Sequence, residues 1–106
     1  MSPVAPRFDD LVHAPTRLSV VSLLAATEHA DFRFVRDSVG LSDSALSKQL
    51  STLEDAGYVA LRKTFEGKRA RTFVTLTPDG RRALAGHLAA LREIVARSGM
   101  DLAADD

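Results

Sequence analysis

Apolar positions recur along this chain with two periods, and the changes of period predict its elements. Phe8, Leu11 and Val12 fall at i, i+3 and i+4 and predict a short amphipathic turn that docks as an arm. Pro15 supplies the fixed φ of a first helical position. Leu18, Val20, Val21, Leu23, Leu24, Ala25 and Ala26 then surround a helix reaching about Thr27. A helix so apolar must be covered on more than one side, and a second subunit is the expected cover in a small domain. Phe34 to Gly40 predicts a short helix closed by glycine, and Leu41-Ser42 a tight connection to the next. In that next helix Leu46, Leu50 and Leu53 form a narrow stripe between a Ser42 N-cap and a Gly57 stop. The period then falls to two: Val59, Leu61, Val74 and Leu76 share one buried face of two strands. Phe65 to Arg71 is the expected outward-reaching tip, with Gly67 at its centre. Thr77-Pro78-Asp79 opens a last helix with an N-cap, a first-turn proline and a first-turn acid. Its stripe of Leu84, Leu88, Leu91 and Val95 has coiled-coil-like spacing; packing back on its own domain is the alternative, and residues 81–97 are expected to form a homodimer seam. Residues 1–7 are expected to be disordered, and 99–106 to be a solvated acidic tail.

The polar side of the helix after Ser42 changes the picture from fold to function. It carries Ser44, Lys48 and Ser51, flanked by Ser47 and Thr52. A helix facing only water is usually rich in Glu and Lys, whereas short hydroxyls with one cation make a low, hydrogen-bonding face that can enter a major groove. For this helix alone a solvated face explains the pattern equally well. The helix before it and the basic hairpin after it favour the groove.

Taken in order, the motifs resemble winged helix-turn-helix transcriptional regulators of the MarR-like and ArsR-like kind, in particular compact single-domain members. The matching stretches are Asp31-Phe32 with Val35-Arg36, Gly40-Leu41-Ser42, Leu46 to Leu50, Leu53 to Val59, Gly67 to Thr72 and Leu76 to Arg81, spanning roughly residues 14–97. The resemblance implies an α+β, mainly helical fold: a winged helix-turn-helix with a two- to three-stranded β-hairpin wing and a C-terminal dimerisation helix. A two-residue strand within His29 to Arg33 would pair with the hairpin. The expected function is a sequence-specific, double-stranded DNA-binding transcriptional regulator, a repressor acting as a homodimer. Ser42 to Ser51 would enter the major groove N-terminus first. Ser42 and the helix amides would meet phosphate, and Ser44, Ser47 and Lys48 would face base edges or flanking phosphates. Lys63, Lys68, Arg69 and Arg71 would follow the backbone or the adjacent minor groove.

Composition narrows the alternatives. A chain of 106 residues, 45% hydrophobic and 26% charged, is expected to form one globular domain. It shows no apolar run of membrane length and no secretory leader, so a cytoplasmic protein is expected. Cysteine is absent, which excludes disulfides and thiolate metal sites, including Cys-ligated metal sensing. His13, His29 and His87 are scattered, so no metal is expected and His87 reads as a core-edge histidine. The formal net charge is zero, yet seven cations between Tyr58 and Arg82 stand against only Glu66 and Asp79. Such segregated charge attracts phosphate locally. No phosphate loop, nucleophile motif or cofactor signature points to an enzyme. The alternative is a winged-helix protein-interaction module. That would show apolar anchors on the wing, where Lys68, Arg69 and Arg71 dominate. A small-molecule effector is left open but not indicated: the residues that could line its pocket, such as Phe8, Leu11, Leu24, Leu88 and Leu91, are better explained as core or interface.

Overall fold

The structure, a computed structural model, describes residues 4–100; residues 1–3 and most of the expected acidic tail lie outside that range. The elements run α1 (Asp10–His13), α2 (Pro15–Ala25), β1 (Ala30–Asp31), α3 (Phe32–Val39), α4 (Asp43–Asp55), β2 (Val59–Glu66), β3 (Arg69–Leu76) and α5 (Pro78–Ala96). Among the described residues, side chains cap four of the five helix starts. Asp9 accepts from the N–H of Leu11 and Val12, Asp31 from Arg33, Ser42 from Ala45 and Thr77 from Gly80. Each satisfies amides that the helix itself leaves unpaired. The Asp31 cap starts α3 at Phe32, ahead of the expected Phe34, and Gly40 ends it with φ 71°. Only glycine adopts that angle without strain, and the chain turns at once into Ser42.

The sheet has the order β1-β3-β2, all antiparallel. The expected two-residue strand is present as β1, with Ala30 opposite Val74 and Asp31 opposite Phe73. The β2–β3 ladder runs from Val59 opposite Leu76 to Glu66 opposite Arg69. The stretch Phe65–Arg71, expected as a loose tip, is therefore mostly strand, and only Gly67-Lys68 turn, with Gly67 at φ 63°. Beyond Leu61 and its partner Val74 no ribbon side chain is fully buried, so apolar alternation stops before strand pairing does.

One core joins every layer: Val12, Val20, Val21 and Leu24, Val35, then Leu46, Leu50 and Leu53, then Val59, Val74 and Leu76, and finally Leu84. Three expectations change here. Much of the apolar circumference of α2 is covered within its own chain, by α1, α3, α4, β3 and α5, which bury Val20, Val21 and Leu24 and leave Leu18 and Leu23 half-buried. Leu84 belongs to this core and is only 7% exposed, so it is not part of an outer seam. The segment expected to be disordered up to residue 7 is placed from Val4 onward, and the Arg7 N–H donates to the Gly86 carbonyl at 2.9 Å. A Cβ added at Gly86 would meet the arm only at ordinary contact distance, 3.4 Å from Arg7 Cβ.

Candidate nucleic-acid interface

Burial of Leu46, Leu50 and Leu53 fixes the roll of α4 and turns Ser44, Ser47, Lys48 and Ser51 to solvent. Ser42 sits at the helix entrance, its Oγ accepting from the Ala45 N–H at 3.1 Å and lying 3.4 Å from Ser44 Oγ. Its oxygen is thus partly committed to the helix, while its O–H can still donate outward. Arg36 of α3 donates to Asp37 at 2.9 Å and to Asp43 at 2.8 Å, and these hydrogen bonds raise its already high pKa further. The pair with Asp43 offsets a carboxylate in the first turn of α4, where an approaching phosphate would otherwise meet like charge. Thr52 turns its hydroxyl back onto the Lys48 carbonyl at 3.2 Å and so presents less polarity outward.

Between α4 and the wing lies an open groove of about 520 Å³. Ser47, Ser51, Asp43 and Glu54 line its helix side, Lys63 and Thr72 its wing side, and Phe32, Leu50 and Leu61 complete the lining. Ser47, Ser51 and Lys63 are therefore brought together as expected of one surface. The remaining wing cations are not. Strand alternation places Lys63 and Thr72 on the groove face and Arg71 on the opposite face, paired across the ladder with Thr64. Arg71 donates to Asp31 Oδ2 through Nε at 3.0 Å and Nη2 at 2.7 Å, and to Glu66 at 2.8 Å. These acids hold its guanidinium charged, and Arg71 with the Arg33 amide holds the Asp31 carboxyl below its ordinary range. Its carbon also rests 5.1 Å from the centre of the Phe73 ring. Arg71 therefore braces the wing against β1 and α3, which revises its expected place on a free basic tip.

Two more of the seven clustered cations have structural partners. Arg81 donates to the Ala25 and Thr27 carbonyls at 3.1 and 3.2 Å, closing the end of α2, and Arg82 pairs with Asp79. The cations left projecting are Arg62, Lys63, Lys68 and Arg69, all exposed. One wing residue the sequence reading passed over is Phe65, 68% exposed in the same strand row as Lys63 and opposite Ala70. Its position two residues beyond Lys63 was the available signal. Glu54 and Asp43 at the groove's edge were also missed, because outward acids on a helix read as ordinary solvated surface.

A family model described as a winged helix DNA-binding domain matches residues 16–95, from the second residue of α2 almost to the end of α5. The chain belongs to this family. The winged-helix protein is 34% identical over 90 residues to an uncharacterized HTH-type transcriptional regulator of Mycobacterium tuberculosis, covering 85% of this chain and 72% of that one. Its fold is similar to the transcriptional regulator homologue from Pyrococcus horikoshii OT3, with a TM-score of 0.80 at 23% identity over 85% of this chain and 89% of that one. It is similar, with a TM-score of 0.64 at 19% identity, to a MarR family transcriptional regulator from Silicibacter pomeroyi, over 83% of this chain and 57% of that one. The resemblance read from the motifs holds, and this winged-helix protein is a DNA-binding transcription regulator. Among the described residues no helix is long and apolar enough to cross a membrane.

Proposed function

We propose that the protein is a homodimeric, sequence-specific repressor that reads duplex DNA with α4 and grips the flanking backbone with its wing. The observation that carries this reading is the groove in which Ser47 and Ser51 of α4 face Lys63 and Thr72 of the ribbon, with Asp43 and Glu54 at its helix edge. Ser44 and Lys48 project from the N-terminal half of α4 toward base edges or flanking phosphates. Lys68 and Arg69 extend the contact along the backbone. The exposed Leu88 and Ile94, with half-buried Leu91 and Val95, leave an apolar face on α5 that supports a two-fold partner. A dimer seated on promoter DNA blocks access to it, which favours repression. Selection of bound fragments from random duplex DNA tests the reading. Two-fold symmetry calls for an imperfect palindrome with half-sites about one turn, ~10 base pairs, apart. Failure to enrich any motif would remove sequence-specific binding.

The two parts of the interface should contribute different kinds of energy. Lys48 stands on a capped helix whose inner stripe is fully buried, so it is rigid enough to discriminate bases. Lys48→Ala should cost about 1–3 kcal/mol on the selected site and much less on scrambled DNA. Arg69→Ala should weaken binding to both alike and make the log–log salt dependence shallower by roughly 0.9. Titration of each variant against both duplexes at several salt concentrations separates the cases. A change of sequence preference in Arg69→Ala with a uniform loss in Lys48→Ala would reverse the assignment.

A further inference from the structure

The N-terminal arm is held on α5 by a pair of histidines that are remote in sequence. His87 is fully buried; its Nδ1 accepts from the Asp9 N–H at 3.0 Å, and its Nε2 lies 3.1 Å from His13 Nδ1. The ring of Phe8 packs against both, tilted to His13 and edge-on to His87, with centroid distances of 4.8 Å and 4.7 Å. These contacts admit one protonation pattern. Because Nδ1 of His87 must accept, the proton of a neutral ring is on Nε2, where it donates to His13 Nδ1. A proton added to His87 would set an N–H against the Asp9 N–H. A proton added at His13 Nδ1 would set it against the Nε2–H of His87. Either event removes a hydrogen bond from the buried ring of His87. The pattern also disfavours a metal at this pair, since a metal-bound histidine donates from its second nitrogen, and here that nitrogen accepts.

We propose that the His13–His87 pair is a proton-sensitive latch that keeps the arm of residues 4–9 docked on α5 at neutral pH and lets it go in mild acid. Other groups face the ring: Asp10 and His13 from α1 and Asp9 from the arm, with Arg7 on the same arm. Tyr58 joins through Asp9, donating its hydroxyl to the carboxylate at 2.5 Å. Burial, and then the charge of His13, make His87 harder to protonate than an ordinary histidine, and Asp9 and Asp10 oppose them without prevailing. The folded chain therefore binds this proton less readily than the unfolded chain. Docking is at full strength above about 6.5, the ordinary histidine value, and weakens as the pH falls below it toward the lower value of the buried ring. Release would also take the acceptor from Tyr58, which directly follows the Gly57 stop of α4, so the arm's state reaches the end of that helix. The latch is a property of the arm and does not require the DNA-binding roles proposed above.

Hydrogen exchange of the Asp9 amide in the full chain, corrected for intrinsic rates, at pH 7.5 and 5.5, tests this without DNA. Wild type should lose protection at least about tenfold in acid. The His87→Gln variant, whose side-chain oxygen can accept from Asp9 but cannot be protonated in this range, should lose little. In wild type the nitrogen shifts of His87 should report the Nε2–H form at pH 7.5 and titrate with the same midpoint as Asp9 deprotection. That readout stands even if His87→Gln fails to fold. Unchanged Asp9 protection in acid, equal loss in His87→Gln, or a ring midpoint unrelated to arm release would each overturn the latch.

Discussion

Replacing Leu88 and Leu91 together with Glu should yield monomers, and affinity for a palindromic duplex should fall by about 10²–10⁴-fold as the second half-site loses its tether. Leu88 is 37% exposed and Ile94, at the margin of the stripe, 46%, so α5 has apolar area that its own chain leaves uncovered. Carboxylates placed there meet water in a monomer but would be buried opposite like charge in a two-fold interface. The choice of residues matters. Leu84, on the same stripe, packs in the core with Leu76 and Val12, and a Glu there would unfold the domain without informing on assembly. Sedimentation at micromolar concentration, beside gel shifts on the selected duplex, reads both effects. A soluble dimer in the double variant would mean that subunits meet elsewhere.

Gly80→Ala should be the most damaging single methyl in the chain. A Cβ at this position would lie 2.2 Å from the Tyr58 carbonyl oxygen and 2.6 Å from Leu76 Cδ1. The leucine can change rotamer, but the carbonyl accepts from the Thr77 N–H at 3.0 Å and is fixed by the strand that follows. Alanine gains about 1 kcal/mol of intrinsic helix preference over glycine, and the steric conflict should exceed it, for a net loss of about 1–3 kcal/mol. Gly86→Ala is the control on the same helix: its Cβ would come no nearer than 3.4 Å to Arg7, an ordinary contact. Denaturant midpoints of the two variants make the comparison, and equal stability would show that α5 slides freely over Tyr58.

Elements and their inward faces were legible because each rests on local chemistry. Ser42 and Thr77 cap where they stand, Gly40 turns where it stands, and Val59, Leu61, Val74 and Leu76 alternate whatever lies above them. What was not legible depends on partners set far apart along the chain. Arg71 and Arg69 look equivalent in sequence, yet Asp31, forty residues upstream of Arg71, engages only Arg71. Arg81 reads as part of a basic patch until the end of α2 is placed beside it. His13 and His87 look scattered because 74 positions separate them. Charge along the chain therefore overstated the basic surface, and histidine spacing concealed a contact.

The β2–β3 ladder stays in step from Val59 opposite Leu76 to the Gly67-Lys68 turn, and this makes the composition of the wing a question of parity. On β2 the side chains that look toward α4 are an even number of residues from Leu61, and on β3 an even number from its partner Val74. One residue inserted in either strand would exchange the two sides of every position beyond it, moving Lys63 away from the groove and disturbing the anchorage of Arg71. Two residues, one in each strand at the tip, would lengthen the wing and leave both sides as they are. Reach can therefore be altered in this scaffold only in whole cross-strand pairs.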